Sequence, residues 1–316
     1  MIGFGTWGLG GMDYGPIKEK KALTLLNHAY RKKINFFDTA PLYGNGRSEM
    51  IIGSFLKNKN RKKIIISSKG GMLPHRGFDW QQNFSFNNLL KDLCESLNRL
   101  NTDYLDYFLL HSPNIRKIRI KDIKEISLYL KSTGLIKKFG ISMRSPYDFN
   151  KSKIFDLVDV LELNFNLLDQ RVLDNNIFKK IKQKKIITVC RTPLCFGFLS
   201  DNTIKKKKLY KHDHRKYYPN SQFKAWTRLK DKFSSFKIKY KFESFSDFAL
   251  SFCLSHNFDY VIPGMMSIRE IDQNVDVQNK KISKNDLYEI YKNYKDIEKI
   301  SFVTNKKEIL KKIKKK

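Results

Sequence analysis

The amino-acid sequence predicts an α/β fold, a (β/α)8 TIM barrel with an eight-stranded parallel sheet. Short runs of β-branched and aromatic residues alternate with segments whose apolar residues recur at helical spacing, and this alternation is typical of parallel sheets. Eight such runs occur along the 316 residues, which is enough chain for one closed barrel with its outer helices.

In chain order, the predicted strands cover residues 2–5, 35–38, 64–68, 104–110, 138–141, 160–163, 186–190 and 260–262. The predicted helices cover residues 17–32, 48–57, 85–100, 121–132, 146–153, 175–184, 245–255, 268–277 and 285–299. The apolar residues of the first helix share one face: Ala22, Leu25, Leu26 and Ala29. Asn101 follows the third helix and Gly134 follows the fourth, as residues that end helices do.

We expect one domain over residues 1–300, because no internal repeat and no linker rich in Pro, Gly or Ser divides the chain. Residues 195–244 are predicted to form a long irregular segment, and residues 301–316 a basic C-terminal tail. The first residues show no basic stretch followed by a long apolar one, so we expect no signal peptide and a cytoplasmic protein. No apolar run reaches the ~20 residues that a membrane helix needs.

The charge is strongly positive, with 62 Lys and Arg against 31 Asp and Glu. Such an excess occurs in proteins that bind nucleic acids, but those proteins usually concentrate it in a patch. Here Lys is scattered, with denser runs at 205–208 and 306–316. We interpret the excess as a solvated basic surface and consider nucleic acid an unlikely partner.

The cysteines and histidines predict no metal site. Cys94, Cys190, Cys195 and Cys253 contain no CxxC pair, so buried thiols in a reducing compartment are expected. The run His212-Asp213-His214-Arg215 lacks further ligands at a metal-binding spacing.

Chemistry-bearing side chains stand at the predicted strand ends, and in a parallel barrel these ends meet at one mouth. Asp38 ends the second strand, Lys69 and His111 directly follow the third and fourth, and Tyr43 follows Asp38 closely. A carbonyl reductase needs a proton donor, and a nearby ammonium lowers the pKa of a phenol from about 10. A carboxylate can position that ammonium, and a histidine can orient the carbonyl oxygen.

These blocks resemble the aldo/keto reductase family over nearly the whole chain. The resemblance rests on Gly5-Thr6-Trp7, Phe37-Asp38-Thr39-Ala40, Leu42-Tyr43-Gly44, Ser48-Glu49, Gly53, Lys69, Leu109-Leu110-His111 and Phe139-Gly140-Ile141-Ser142. It implies an oxidoreductase that uses NADPH rather than NADH, without metal or flavin. It also implies that the catalytic residues are Asp38, Tyr43, Lys69 and His111, with Tyr43 as the proton donor in reduction.

The resemblance further implies a cofactor site. The residues that it assigns to the nicotinamide and pyrophosphate are Thr6, Trp7, Asp38, Ser142, Glu162, Arg191, Pro193, Leu194, Gly197 and Leu199. Glu162 stands where the family usually has Gln, and Arg191 where it often has an aromatic residue, although a guanidinium plane can also stack. For Leu199, a packed turn and a cofactor contact are equally good interpretations.

The last block resembles the family's adenosine-phosphate site: Gly264, Ser267, Arg269, Gln273 and Asn274. A phosphate favours a helix N-terminus and a forked guanidinium, so Arg269 is expected to contact the 2′-phosphate of NADPH. Family members usually begin with a β-hairpin below the barrel, and we expect that hairpin to be missing or reduced here.

The sequence therefore predicts an enzyme that reduces an aldehyde or ketone, a small-molecule carbonyl. A sugar-type or phosphorylated substrate is favoured if the following charged residues face the mouth: Arg144, Arg191, His214 and Arg215. The alternative is an NADP-binding regulatory subunit with little turnover. The substrate, the physiological direction and the oligomeric state are left open.

Overall fold

The structure, a computed structural model, describes residues 1–73, 81–115, 118–202 and 204–301. The predicted basic tail lies outside the described residues, except for residue 301.

Eight strands form a single sheet in chain order, and every neighbouring pair is parallel. They are β1 (Phe4–Gly5), β2 (Phe36–Asp38), β3 (Ile65–Gly70), β4 (Leu105–His111), β5 (Ile136–Ser142), β6 (Val160–Asn164), β7 (Ile187–Arg191) and β8 (Tyr260–Val261). Parallel bridges from Ile2 to Val261 and from Gly5 to Gly264 link the last strand to the first. The predicted barrel is confirmed.

Ten α-helices accompany the strands in the described part of the chain. They are α1 (Glu19–Arg31), α2 (Arg47–Leu56), α3 (Phe86–Leu100), α4 (Ile120–Ser132), α5 (Ile177–Gln183), α6 (Asn220–Leu229), α7 (Ser234–Lys239), α8 (Phe245–Ser255), α9 (Ile268–Asp276) and α10 (Lys284–Ser301). The apolar face predicted for α1 is buried against the barrel. Helix α5 begins two residues later than predicted, because Asn175 and Asn176 have positive φ angles of 51° and 58°.

The lower end of the barrel, where the strands begin, is filled by aromatic rings. Phe36 stacks on Tyr260 at 4.2 Å between ring centres, and Tyr107 lies 5.7 Å from Phe36. All three are buried. The barrel is therefore packed below its mouth, as expected for this fold.

The prediction of a helix over residues 146–153 is wrong. Two short 3-10 helices stand there, Pro146–Lys151 and Lys153–Asp156. Ser152 between them has an extended backbone, and its hydroxyl accepts a hydrogen bond from the Ile154 amide. A serine that caps a new turn competes with continuation of the previous helix, and this explains the break.

The prediction that residues 195–244 are irregular is also wrong. This segment contains α6 and α7, with several 3-10 helices around them. Phe223, Trp226 and Leu229 recur at helical spacing on α6, and all three are buried. The spacing was visible in the sequence, although short helices among many Lys residues give a weak pattern.

No helix in the described ranges is both long and apolar enough to cross a membrane.

Candidate active site

The structure brings the four predicted catalytic residues to the mouth of the barrel. Lys69 Nζ lies 2.6 Å from Asp38 Oδ1, and it also donates to the Thr39 carbonyl oxygen at 2.9 Å. The same ammonium lies 5.3 Å from the centre of the Tyr43 ring. The His111 ring meets the Tyr43 ring edge-on, at 6.4 Å between centres. Three strand-end residues and Tyr43, from the loop after β2, therefore surround one small region.

Burial dominates the electrostatics of this group. Lys69 is fully buried, and although burial lowers its pKa, Asp38 and then Glu162 raise it well above the ordinary value. Burial raises the pKa of Tyr43 to about 12, and the Lys69 ammonium opposes this rise. The expected lowering by Lys69 is thus present but smaller than the desolvation of the phenol. Tyr43 holds its proton at neutral pH.

Two loops that touch each other fix the position of Tyr43. The Trp7 indole stacks on the Tyr43 ring at 5.8 Å and 22°, and its Nε1 donates to Asp13 at 2.7 Å. Gly10 and Gly44 let the two backbones approach. A Cβ on Gly44 would lie 2.2 Å from the Gly10 carbonyl oxygen, and Gly44 has a positive φ of 66°.

Thr6 is fully buried and acts within this framework. Its hydroxyl donates to the Asp38 carbonyl oxygen at 2.8 Å and lies 2.8 Å from the Ser48 hydroxyl. The side chain that the resemblance placed beside the nicotinamide therefore joins β1 to β2 and to α2. Its contacts hold Asp38 in place.

A second polar group spans β5, β6 and β7. The Ser142 hydroxyl donates to Glu162 Oε1 at 3.0 Å, and Arg191 Nε lies 3.8 Å from the same oxygen. Arg191 also donates to the Met143 carbonyl oxygen at 2.9 Å and lies 3.5 Å from the Ser112 hydroxyl. Glu162 Oε2 is 3.3 Å from Lys69 Nζ, so this group is continuous with the first.

The turn after β7 is tight and partly buried. The Gly197 and Leu199 amides both donate to the Leu194 carbonyl oxygen, at 2.9 Å and 3.1 Å. Pro193 is buried, whereas Leu194 and Gly197 are half-buried. Leu199 is fully buried in the core, and this favours the packed-turn interpretation of that residue.

The residues predicted for the adenosine phosphate lie at the start of α9. Ser267 caps the helix by accepting from the Glu270 amide, and Gly264 bridges to Gly5 beside the first loop. Arg269 is exposed, Gln273 is half-buried and Asn274 is buried. The Glu270 carboxylate accepts from the Met266 amide at 2.6 Å. A carboxylate thus lies in the first turn of α9, next to Arg269 in the sequence.

Six aromatic rings pack together beside Tyr43 at the mouth, and of these the sequence placed only Trp7 and His214 there. We call them the mouth cluster: Trp7, Tyr14, Phe196, His214, Tyr218 and Trp226. His214 lies 4.5 Å from Trp7 between ring centres, and Phe196 touches Trp7, His214, Tyr218 and Trp226 within 6.3 Å. The density of aromatic residues in the 195–244 segment was the available signal.

Of the four positive groups expected at the mouth, Arg191, His214 and Arg215 are paired or neutral, whereas Arg144 is exposed. Arg215 binds Asp213 through two hydrogen bonds, of 2.9 Å and 2.7 Å, and donates to the Phe196 carbonyl oxygen. Burial lowers the pKa of His214 to about 3, so its ring is neutral. Arg191 is turned toward Glu162 and Met143. These contacts weaken the case for a phosphorylated substrate.

Within the described ranges, no group of three or more His, Cys, Asp or Glu side chains is arranged to hold a metal ion.

A sequence model described as the aldo/keto reductase family matches residues 1–295. A curated protein from Glycine max, named probable aldo-keto reductase 1, is 26% identical over 294 residues, which cover 92% of this chain and 84% of that protein. Another, from Escherichia coli strain K12 and named NADH-specific methylglyoxal reductase, is 25% identical over 212 residues, covering 63% of this chain and 65% of that protein.

A solved structure, the holo form of an aldo-keto reductase from Bacillus halodurans, superposes with a TM-score of 0.71. Its sequence is 25% identical, and the match covers 92% of this chain and 91% of that one. The similarity therefore extends over the whole barrel.

Proposed function

The chain belongs to the aldo/keto reductase family, and on that premise we propose that it reduces an aldehyde or ketone to the alcohol with NADPH, with Tyr43 as the proton donor. The observation that supports this most directly is the buried Lys69 ammonium, which lies between Asp38 and the ring of a protonated Tyr43. The bound cofactor would supply the hydride.

The residues of the second polar group fit a nicotinamide. Arg191 Nε is a buried donor for which the described residues supply no hydrogen-bond acceptor, and a carboxamide oxygen is an acceptor of the right kind. Ser142 and Glu162 offer a hydroxyl and a carboxylate beside it. We propose that these three residues hold the carboxamide.

The remaining steps belong to the chain's own residues. His111 would orient the carbonyl oxygen of the substrate toward Tyr43, and Tyr43 would donate its proton as charge develops on that oxygen. Lys69 stabilises the phenolate that results, because its ammonium already faces the ring. The mouth cluster, which contacts Tyr43 through Trp7, would exclude water from this region.

The test of the proton donor is Y43F. We expect binding of NADPH, measured by calorimetry, to stay within about threefold of the wild type, while kcat for a panel of aldehydes falls about 10²- to 10⁴-fold. Y30F is the matched control, because Tyr30 lies on α1 outside the site. Equal turnover of Y43F and the wild type would refute the proposal. Absence of turnover in the wild type together with tight NADPH binding would favour the regulatory alternative.

The proposed preference for NADPH rests on Arg269. The neighbouring Glu270 carboxylate opposes it, because a carboxylate repels a phosphate. R269Q should weaken NADPH binding about tenfold and leave NADH binding unchanged, because only NADPH carries the 2′-phosphate. R119Q is the control, since Arg119 is an exposed arginine at the start of α4. If the wild type binds NADH more tightly than NADPH, the Glu270 carboxylate governs this site and the preference for NADPH is wrong.

We further propose an uncharged small-molecule carbonyl and a cytoplasmic location. The sugar-type substrate stays a prediction, and the neutral His214 and paired Arg215 favour its unphosphorylated form. Three of the four free cysteines are buried, as expected in a reducing compartment. Comparing kcat/KM for a sugar aldehyde with that for its phosphate ester tests the substrate: the phosphate ester should be the poorer one.

A further inference from the structure

One buried ammonium in this barrel faces two buried carboxylates. Lys69 Nζ lies 2.6 Å from Asp38 Oδ1 and 3.3 Å from Glu162 Oε2, and the three side chains are 0%, 3% and 1% exposed. An uncompensated charge is costly where water is excluded. One ammonium can compensate only one of the two carboxylates.

The second cation of the site, Arg191, lies beside Glu162 and stabilises its negative charge. Its Nε lies 3.8 Å from Glu162 Oε1, an oxygen that also accepts a hydrogen bond from Ser142. Asp38 shares the Lys69 ammonium but has no comparable contact with Arg191. The structure therefore stabilises negative charge on Glu162 better than on Asp38.

Two carboxylate oxygens of this group lack a well-aligned hydrogen bond among the described residues, although the Ser67 hydroxyl faces Asp38 and the Lys69 ammonium lies 3.3 Å from Glu162 Oε2. They are Asp38 Oδ2 and Glu162 Oε2, and both are buried. Buried acceptors in folded proteins nearly always have a partner. Both carboxylates lie against the same ammonium, so a proton on Asp38 can be shared with Glu162 and supply such a partner.

The direction of the pKa shifts agrees with this arrangement. Burial, followed by the negative charge of Glu162, raises the pKa of Asp38 to about 7. Burial also acts to raise the pKa of Glu162, but Lys69 and then Arg191 outweigh it and hold that pKa below its usual value.

We propose that Asp38 and Glu162 share one proton at neutral pH, with the negative charge on Glu162, and that Glu162 is thereby a positioning residue that holds Lys69 beside Tyr43. The shared proton is independent of the proposed function. Its effect on turnover rests on that function, because it acts through Tyr43.

Loss of the shared proton changes the field at Tyr43. A negative charge on Asp38 raises the pKa of Tyr43, as Glu162 does, whereas Lys69 and Arg191 lower it. His111 faces the same ring from β4. Tyr43 therefore becomes a weaker acid as the pH rises through about 7. We expect kcat for reduction to fall on that limb of the pH profile.

The decisive measurement is a carbon-13 NMR titration of the aspartate carboxyl groups in the full, cofactor-free chain, with D38N assigning the Asp38 signal. In the wild type, Asp38 should titrate near pH 7. In E162Q its midpoint should fall by about two units, because the neutral amide removes one of the two competing charges. The fall of kcat around pH 7 should disappear in the same variant.

The matched control is E49Q. Glu49 is a fully buried carboxylate whose oxygens lie 2.6 Å from the Ser68 hydroxyl and 2.7 Å from Arg99 Nε. It resembles Glu162, which also lies beside one serine hydroxyl and one arginine. Glu49 belongs to α2, and Arg99 and Ser68 rather than Lys69 compensate its charge, so E49Q should leave the Asp38 midpoint unchanged.

A wild-type midpoint below about pH 5, or a midpoint that E162Q does not move, would overturn the inference. If E162Q does not fold, E162D replaces it: the retained charge should keep the midpoint above about pH 6, and a lower midpoint counts against the shared proton. An enzyme without turnover would contradict the proposed function and leave the NMR result standing.

Discussion

The contact between Gly10 and Gly44, which places Tyr43, is open to a quantitative test with G44A. A methyl group at Gly44 would lie 2.2 Å from the Gly10 carbonyl oxygen, about 1 Å closer than carbon and oxygen normally approach. Overpacking of this kind costs about 1–3 kcal/mol. The positive φ of 66° adds about 1–2 kcal/mol for a residue with a Cβ. The free energy of unfolding should therefore fall by about 2–5 kcal/mol.

Substitutions at two other glycines separate the steric cost from the cost of the positive φ angle. Gly134 also has a positive φ, 74°, but nothing lies within 4 Å of the place that a methyl group there would occupy, so G134A should cost about 1–2 kcal/mol from the backbone alone. Gly10 has no positive φ, and a Cβ there would lie 2.6 Å from the Gly44 nitrogen. G10A should therefore show the steric cost alone, about 1–3 kcal/mol.

The assays are urea unfolding followed by circular dichroism, and steady-state turnover of the folded variants. We expect G44A and G10A to lower kcat about tenfold or more, because displacing a proton donor by ~1 Å is costly, whereas G134A keeps the wild-type kcat. Equal destabilisation of G134A and G44A, or turnover of G44A and G10A at the wild-type rate, would refute this reasoning.

Three other predictions concern regions around the barrel. In the native chain a thiol reagent should modify Cys94 rapidly and the other three cysteines only after unfolding, because Cys94 alone is exposed; fast modification of more than one thiol contradicts the burial. Burial lowers the pKa of His256 to about 4, below its unfolded value of about 6.5. The free energy of unfolding should therefore be highest above pH 6.5 and fall toward pH 4 by about 3 kcal/mol more than in H256Q. Parallel curves of unfolding free energy against pH for the two proteins would disprove this. D213A leaves Arg215 partly buried without its carboxylate and should cost about 3–5 kcal/mol in urea unfolding, with D103A as an exposed control. Equal stability of the two variants would exclude a structural ion pair.

The barrel was predictable because its strands are distinct in the sequence. β4, for example, is a run of seven buried residues, and buried strands of parallel sheets have this continuous pattern. The break at Ser152 was not predictable from periodicity, because a single serine hydroxyl decides whether the helix continues. Short helices such as α7 have too few apolar residues to stand out.

In the candidate site, too, some residues were predictable from the sequence and some contacts were not. Asp38, Lys69 and His111 were identified because strand ends of a parallel barrel converge, whatever the details of packing. The contact between Glu162 and Arg191 depends on the register of β6 against β7, which pairs Glu162 with Val189 and Asn164 with Arg191. That register is a property of the folded sheet, so sequence reasoning assigned both residues to a cofactor and did not pair them.

The mouth cluster also allows ligand binding to be followed by intrinsic tryptophan fluorescence. The chain has three tryptophans, and two of them, Trp7 and Trp226, lie in that cluster, whereas Trp80 is outside the described residues. Trp7 stacks directly on Tyr43. A ligand that enters the mouth changes the surroundings of both indoles, so their emission should follow binding without any attached dye.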